Sequence, residues 1–149
     1  MLNNLLAFSM IAAFFLLIVL FTILNFRIHR DENRRLSRIM DGVESITPMD
    51  LFKLRTEISD FTGIYIIHNV SSERYYVGQS KRVVNRVNQH FTGHGNGDIY
   101  ADYKYGDIFT LKMLSLNNSG YESLDELERD TIEYYDAFAL GYNRTRGNG

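Results

Sequence analysis

Hydrophobic and polar positions change their period several times along this chain, and each period predicts a different element. Residues 5–24, LLAFSMIAAFFLLIVLFTIL, run for twenty positions without a charge, a proline or a glycine. As a helix the run is about 30 Å long, the thickness of a bilayer's hydrocarbon core. Fourteen of the twenty are Leu, Ile, Phe or Val, worth roughly −4 to −8 kcal/mol of insertion free energy against the small opposition of Ser9 and Thr22. A core helix of this length normally keeps a polar stripe. A cleaved signal peptide has a basic start, a shorter apolar run and a small-residue cleavage site. Here the start is uncharged and the run passes into Asn25, Phe26 and Arg27. The pattern predicts a transmembrane helix.

Over residues 31–46 the apolar positions become sparse and helical. Leu36, Ile39, Val43 and Ile46 recur at spacings of three, four and three. This predicts a juxtamembrane helix with a two-heptad seam, which fits a homodimer through that helix and equally fits packing on the domain that follows. Thr47, Pro48 and Asp50 mark a new helix start, with Thr as N-cap and the chain's single proline in the first turn. That helix carries Leu51, Phe52, Leu54 and Ile58.

From Gly63 the pattern turns to strands. Residues 63–68 are β-branched and aromatic, 69–74 form a polar turn, and 75–78 make a second strand, together an antiparallel hairpin. Residues 81–91 read as a helix with Val83, Val84, Val87 and Phe91 inward, ended by the glycine-rich stretch 93–97. A short helix over 99–105, a third strand over 108–116 with Phe109, Leu111 and Met113 alternating, and a last helix from a capping box at Ser123 and Glu126 through about Phe138 complete the order. The predicted class is α+β: a small three-stranded antiparallel sheet flanked by helices, preceded by a transmembrane helix and a juxtamembrane helix. The expected division is an anchor over 1–26, a helical connector over 27–60 and a catalytic domain over 61–149.

Charge adds orientation. Residues 1–26 carry none, whereas Arg27, Arg30, Arg34, Arg35 and Arg38 follow the span directly. The positive-inside rule therefore predicts a single-pass protein of the inner or plasma membrane, N-terminus outside and C-terminal domain cytoplasmic, with the arginines beside the lipid bilayer. From Asp60 onward nine Lys/Arg face twelve Asp/Glu. That domain is slightly acidic, so a phosphate would be held by a few well-placed cations and not by a broad positive field. The 23% charged and 45% apolar composition is that of a globular chain, and the lack of cysteine excludes disulfides and Cys-ligated metal.

Several local patterns carry no chemistry of their own. His90 and His94 have zinc spacing, but Gly93 interrupts their helix. The glycine-rich stretch lacks the Gly-Lys-Ser/Thr of a nucleotide-binding loop. A different constellation is more telling. Gly63-Ile64-Tyr65 and Tyr76-Val77-Gly78 lie in adjacent strands. Arg86 stands ten residues after Tyr76, with His90 four residues later on the same helix. Lys104-Tyr105-Gly106 leads to Phe109, Glu128 lies four residues before Ile132, and Gly141-Tyr142-Asn143 closes the set. Together these resemble the GIY-YIG nucleases, with Val77 replacing the central isoleucine of the second motif. The resemblance spans about residues 61–145 and is strong because two tripeptides and four polar residues keep their order and spacing.

The resemblance implies an endonuclease hydrolysing phosphodiester bonds. Arg86 is a permanent cation whose fork fits phosphate oxygens. Glu128, the family's metal-binding position, offers a hard oxygen to Mg²⁺ or Mn²⁺. Tyr65 or Tyr76 is the implied general base, and a phenol with an ordinary pKa near 10 needs a cation nearby for that. His90 would orient the phosphate, share proton transfer or cap its helix. Lys81 is a candidate phosphate contact and Asn143 a candidate for holding the site together. Taken singly, each has an ordinary structural use: strand tyrosines are often half-buried, and Glu128 sits among Glu126, Arg129 and Asp130. The chain closes at Gly149 without a separate recognition tail, so the expectation is low sequence specificity on DNA, with RNA as an alternative, and incoming DNA as a candidate substrate. A catalytically inactive tether for nucleic acid or a protein partner is the competing class.

Overall fold

The computed structural model describes residues 2–147, with the backbone alone for residues 2–8. The side chains of residues 5–8 of the apolar run, and Asn148 and Gly149 of the predicted domain, lie outside the described residues. The chain divides into two compact units, one ending at Ser37 and the other starting at Arg38.

The first unit is a single unbroken helix, part of α1 (Leu2–Asp41). Its apolar side chains from Met10 to Ile28 are exposed on every side, and it is long and apolar enough to cross a membrane. The polar side chains inside it are satisfied by the helix itself. Thr22 Oγ1 donates to the Val19 carbonyl and Asn25 Nδ2 to the Phe21 carbonyl, each at 2.8 Å. Such back-bonding is how polar groups are tolerated where no water is at hand.

The helix expected to run through Ile46 stops at Asp41. Gly42 and Val43 close it with bonds to the Ile39 and Met40 carbonyls, the tightened last turn of a fraying end. Ile46 instead exchanges two backbone hydrogen bonds with Leu111, at 3.0 and 2.8 Å. The backbone groups of Ile46 are thus paired with the sheet and not with a helix, so the seam through Leu36, Ile39, Val43 and Ile46 is helical only as far as Ile39.

In the second unit, α2 (Pro48–Leu54) starts as read: Thr47 and Asp50 form a reciprocal capping box. The sheet joins β1 (Gly63–Asn69), β2 (Arg74–Ser80) and β3 (Phe109–Ser115) in the order β2-β1-β3, antiparallel throughout. The register sets Tyr65 opposite Gly78 and Ile67 opposite Tyr76. The period of two puts Tyr65 and Ile67 on one face. There they meet Val83, Val84, Val87 and Phe91 of α3 (Val83–Phe91), with Leu51, Ile99, Phe109, Leu111 and Tyr142 completing the core. Each such side chain contributes about 1.5–3 kcal/mol on burial.

Helix α3 begins at Val83, not Lys81, because its N-terminal amides are capped from far upstream. Asp60 accepts from Val84 N–H at 2.9 Å and Asn85 N–H at 3.3 Å. Lys81 and Arg82 therefore stay in the preceding bend. Helix α4 (Gly97–Tyr105) is capped by Asn96. A one-turn α5 (Leu116–Ser119), closed by Gly120, was not legible in the sequence. Helix α6 (Leu124–Tyr134) is capped by Ser123 as expected, but ends four residues earlier than read. Asp136 takes a left-handed φ of 49° and turns the chain back. The sequence expectation of a three-stranded antiparallel α+β domain matches this architecture.

Candidate active site

Six of the seven residues singled out from the sequence gather around the β1–β2 hairpin. Tyr65 leaves β1 on the α3 side and is almost fully buried. It fits because its partner across the sheet is Gly78. A Cβ there would lie 2.4 Å from Tyr65 Oη, so the glycine of the second tripeptide makes room for the hydroxyl of the first. Tyr76 is on the same face, two residues before Gly78 and half-buried, its ring 6.1 Å from that of Tyr65.

His90 sits on the last turn of α3, fully buried, its ring 5.5 Å from Tyr65 and 5.0 Å from Tyr76. Both nitrogens are engaged. Nδ1 accepts the Asn96 backbone N–H at 2.9 Å, and Nε2 lies 3.0 Å from Tyr65 Oη. An acceptor Nδ1 in a neutral imidazole assigns the proton to Nε2, which donates to the tyrosine oxygen. Burial, helped by the Arg86 charge, pushes the His90 pKa down to about 4. The ring is neutral at pH 7.

The two tyrosines differ in acidity. Burial pushes both phenols up. The closeness of the two hydroxyls eases ionisation of Tyr76 and hinders that of Tyr65. Arg86 lowers both, being half-buried on α3 and tied to Gln89 Oε1 at 2.8 Å through Nη1. Of the pair, Tyr76 is the more readily ionised and the less buried.

Glu128 enters from α6, buried, and raises the Tyr76 pKa through its charge. It lines a cleft of about 300 Å³ together with Tyr76, Asn96 and Asn143. Asn143 is a clamp: Val77 N–H donates to its Oδ1 and its Nδ2 donates to the Val77 carbonyl, both at 2.8 Å. It thus pairs with the outer edge of β2 as a further strand would. Its neighbour Tyr142 is tied down by Asn69 and Asp102 at 2.7 and 2.6 Å, with the Arg74 guanidinium 4.2 Å above its ring. Lys81 stands apart, exposed before α3.

Sequence reasoning missed Asn96, Gln79 and Asp125. Gln79 Nε2 donates to Asp125 Oδ1 at 2.5 Å and to Glu128 Oε2 at 3.0 Å. Asp125 and Glu128 are three apart on α6, a spacing readable as one helix face. Nothing in the linear pattern links them to Gln79. Asn96 lay inside a stretch read only as a helix stop, yet its amide holds His90.

Among the described residues no three His, Asp or Glu side chains converge as a metal-ligand set. What the cleft offers is one buried carboxylate beside amide and phenol oxygens. Hard oxygen donors of this kind suit Mg²⁺ or Mn²⁺, ions that keep most of their waters and need few protein ligands.

Comparison with curated proteins and with solved structures finds no significant match to either. A family model, described as the GIY-YIG catalytic domain, matches residues 61–143, more than half of the chain. The hairpin that sets Tyr65 against Gly78 carries both name-giving tripeptides, and with that match the chain belongs to the GIY-YIG nuclease family.

Proposed function

We propose that this protein is a membrane-anchored, metal-dependent endonuclease that hydrolyses phosphodiester bonds in DNA with low sequence specificity. The observation that carries the reading is the Asn96–His90–Tyr65–Tyr76 chain of contacts, which ends on a half-buried phenol at the rim of the cleft holding Glu128.

In this reading Tyr76 is the general base. As a phenolate, stabilised by the Tyr65 hydroxyl and the Arg86 charge, it takes a proton from the attacking water and becomes a neutral phenol. His90 is a positioning residue: it donates from Nε2 to Tyr65 Oη and so aims the tyrosine hydroxyl at Tyr76. Arg86 holds non-bridging oxygens of the scissile phosphate, where its fixed charge counters the charge that builds in the transition state. Glu128 holds the divalent cation, whose chemistry when bound is to neutralise charge on the departing oxygen. Asn143 keeps β2, and with it Tyr76, in place. Lys81, exposed before α3 and apart from the cleft, adds a phosphate contact further along the nucleic acid.

The apolar helix and the arginines after it support an anchor over 1–26, a connector over 27–60 and a nuclease domain over 61–149, the last on the cytoplasmic side. There the nuclease meets nucleic acid that crosses or touches the membrane, incoming DNA being the natural case.

The test uses the full chain in detergent. Plasmid DNA is incubated with Mg²⁺, with Mn²⁺ or with EDTA, beside the Glu128→Ala variant and beside an RNA substrate. Metal-dependent nicking of DNA that Glu128→Ala abolishes is the expected result. No cleavage of either nucleic acid with any metal overturns the proposal in favour of an inactive tether. Because the chain has no cysteine, Asn3→Cys and Asn117→Cys report orientation in whole cells. An impermeant maleimide should label only the first.

A further inference from the structure

Two carboxylates of α6 and one amide of β2 form a cluster of which only Glu128 has a part in cleavage so far. Gln79 follows the second tripeptide directly, and its side chain points away from the tyrosines by the alternation of the strand. Its amide nitrogen has two hydrogens. One goes to Asp125 Oδ1 at 2.5 Å, the other to Glu128 Oε2 at 3.0 Å. Two carboxylate oxygens bonded to one nitrogen at those distances are at most 5.5 Å apart. The amide orientation is not arbitrary: the flipped rotamer would set an oxygen against both carboxylates.

Asp125 is exposed at the start of α6, whereas Glu128, one turn on, is buried at the cleft. The exposed carboxylate thus holds the amide from the solvent side, and the amide holds the buried carboxylate from within. A buried carboxylate without a donor would be costly, and one free to rotate would meet a cation with either oxygen. The bond to Oε2 restrains that rotation.

We infer that Gln79 is a positioning residue for the cation site: anchored by Asp125, it fixes the Glu128 carboxylate so that the remaining lone pairs face the cleft. This rests on the reading of Glu128 as the metal ligand. Asp125 acts through Gln79 and not on the ion. Hydrogen-bond partners of metal ligands commonly set affinity by 10- to 100-fold.

The measurement is Mn²⁺ binding to the full chain in detergent, read from the electron paramagnetic resonance of free Mn²⁺, without any substrate. Gln79→Met keeps length and volume but has no donor. Its Mn²⁺ dissociation constant should rise at least tenfold, measured well below its melting temperature. Asp125→Ala should give a smaller rise, and the double variant should be no worse than Gln79→Met alone, because the two act in series. Wild-type affinity in Gln79→Met overturns the inference, as does strict additivity, which would make Asp125 an independent ligand. If Gln79→Met unfolds, Asp125→Ala decides: unchanged affinity there overturns the anchoring role. A wild type that binds no Mn²⁺ and cuts nothing overturns the nuclease reading itself, and Gln79 then has no ion to serve. A wild type that binds Mn²⁺ normally beside an unaffected Gln79→Met overturns the role of Gln79 alone.

Discussion

Tyr65 Oη and His90 Nε2 lie 3.0 Å apart in the interior of the domain, and the far side of the imidazole is closed by the Asn96 amide. A neutral ring caught between a donor and a phenol has no room for a second proton. Its pKa of about 4 against an ordinary 6.5 is a statement about stability. The folded state disfavours protonated His90, so the stability this gives is fully present above pH 6.5 and is lost as pH falls towards 4. The shift corresponds to about 3 kcal/mol. Urea unfolding of the wild type should weaken between pH 7 and pH 4.5 by more than that of His90→Gln. Equal pH dependence in the two proteins would show that the ring does not titrate as the geometry demands.

The base assignment makes a prediction about rate. Because burial holds the Tyr76 phenol above its ordinary range, the ionised fraction grows tenfold per pH unit throughout neutral pH. With metal saturating, kcat/KM on a short DNA duplex should rise with a slope near one from pH 6 to 9. Tyr76→Phe should lose about 10²–10⁴ in rate, the usual worth of a general base, and lose the slope as well. Tyr65→Phe keeps the base and should lose less. A steeper loss in Tyr65→Phe with the slope intact in Tyr76→Phe would exchange their roles.

Arg86 should not be replaceable by lysine. Its half-buried guanidinium is held by Gln89, a fixed fork where lysine offers a mobile point charge. Arg86→Lys is expected to lower kcat by roughly 10²–10³, the scale for a transition-state donor, with little change in the melting temperature. Single-turnover cleavage with the variant in excess separates this from weaker DNA binding.

Gly78→Ala tests the cross-strand fit. Its new Cβ would stand 2.4 Å from Tyr65 Oη and 2.5 Å from Tyr65 Cζ, and His90 prevents the ring from withdrawing. Overpacking of this kind costs about 1–3 kcal/mol, and the melting temperature should fall by about 5–15 °C. The double variant Gly78→Ala with Tyr65→Phe should recover part of that loss, since the hydroxyl is one of the two atoms struck most closely.

Asn143→Leu removes both bonds to Val77 and leaves a backbone donor and acceptor unpaired at the edge of β2. Each orphaned group costs about 1–3 kcal/mol. Amide exchange at Val77 should accelerate sharply, and cleavage should fall with it because Tyr76 shares that strand. Unaltered exchange at Val77 would remove Asn143 from its clamping role.

Where local chemistry suffices, the chain could be read directly. The long apolar run is helical because its length and composition leave no alternative, and the capping of α2 by Thr47 and of α6 by Ser123 follows from side chains one turn away. The alternation of β1 and the hairpin with β2 needed only period two and a polar turn. The spacing of Tyr65, Tyr76, Arg86, His90 and Glu128 placed them on elements that converge.

What the sequence could not state depends on partners distant along the chain. The start of α3 is moved by Asp60, whose carboxylate caps Val84 from 24 positions upstream. Beyond the end of α1, Ile46 pairs with Leu111 across 65 positions of sequence. The order of acidity of two tyrosines, the neutrality of His90 and the grip of Gln79 on Glu128 arise from burial and from hydrogen bonds between separate elements. Periodicity and capping are properties of neighbours, and a sequence records neighbours. Desolvation and long-range hydrogen bonding exist only once the chain has closed on itself, and they decide what these residues can do.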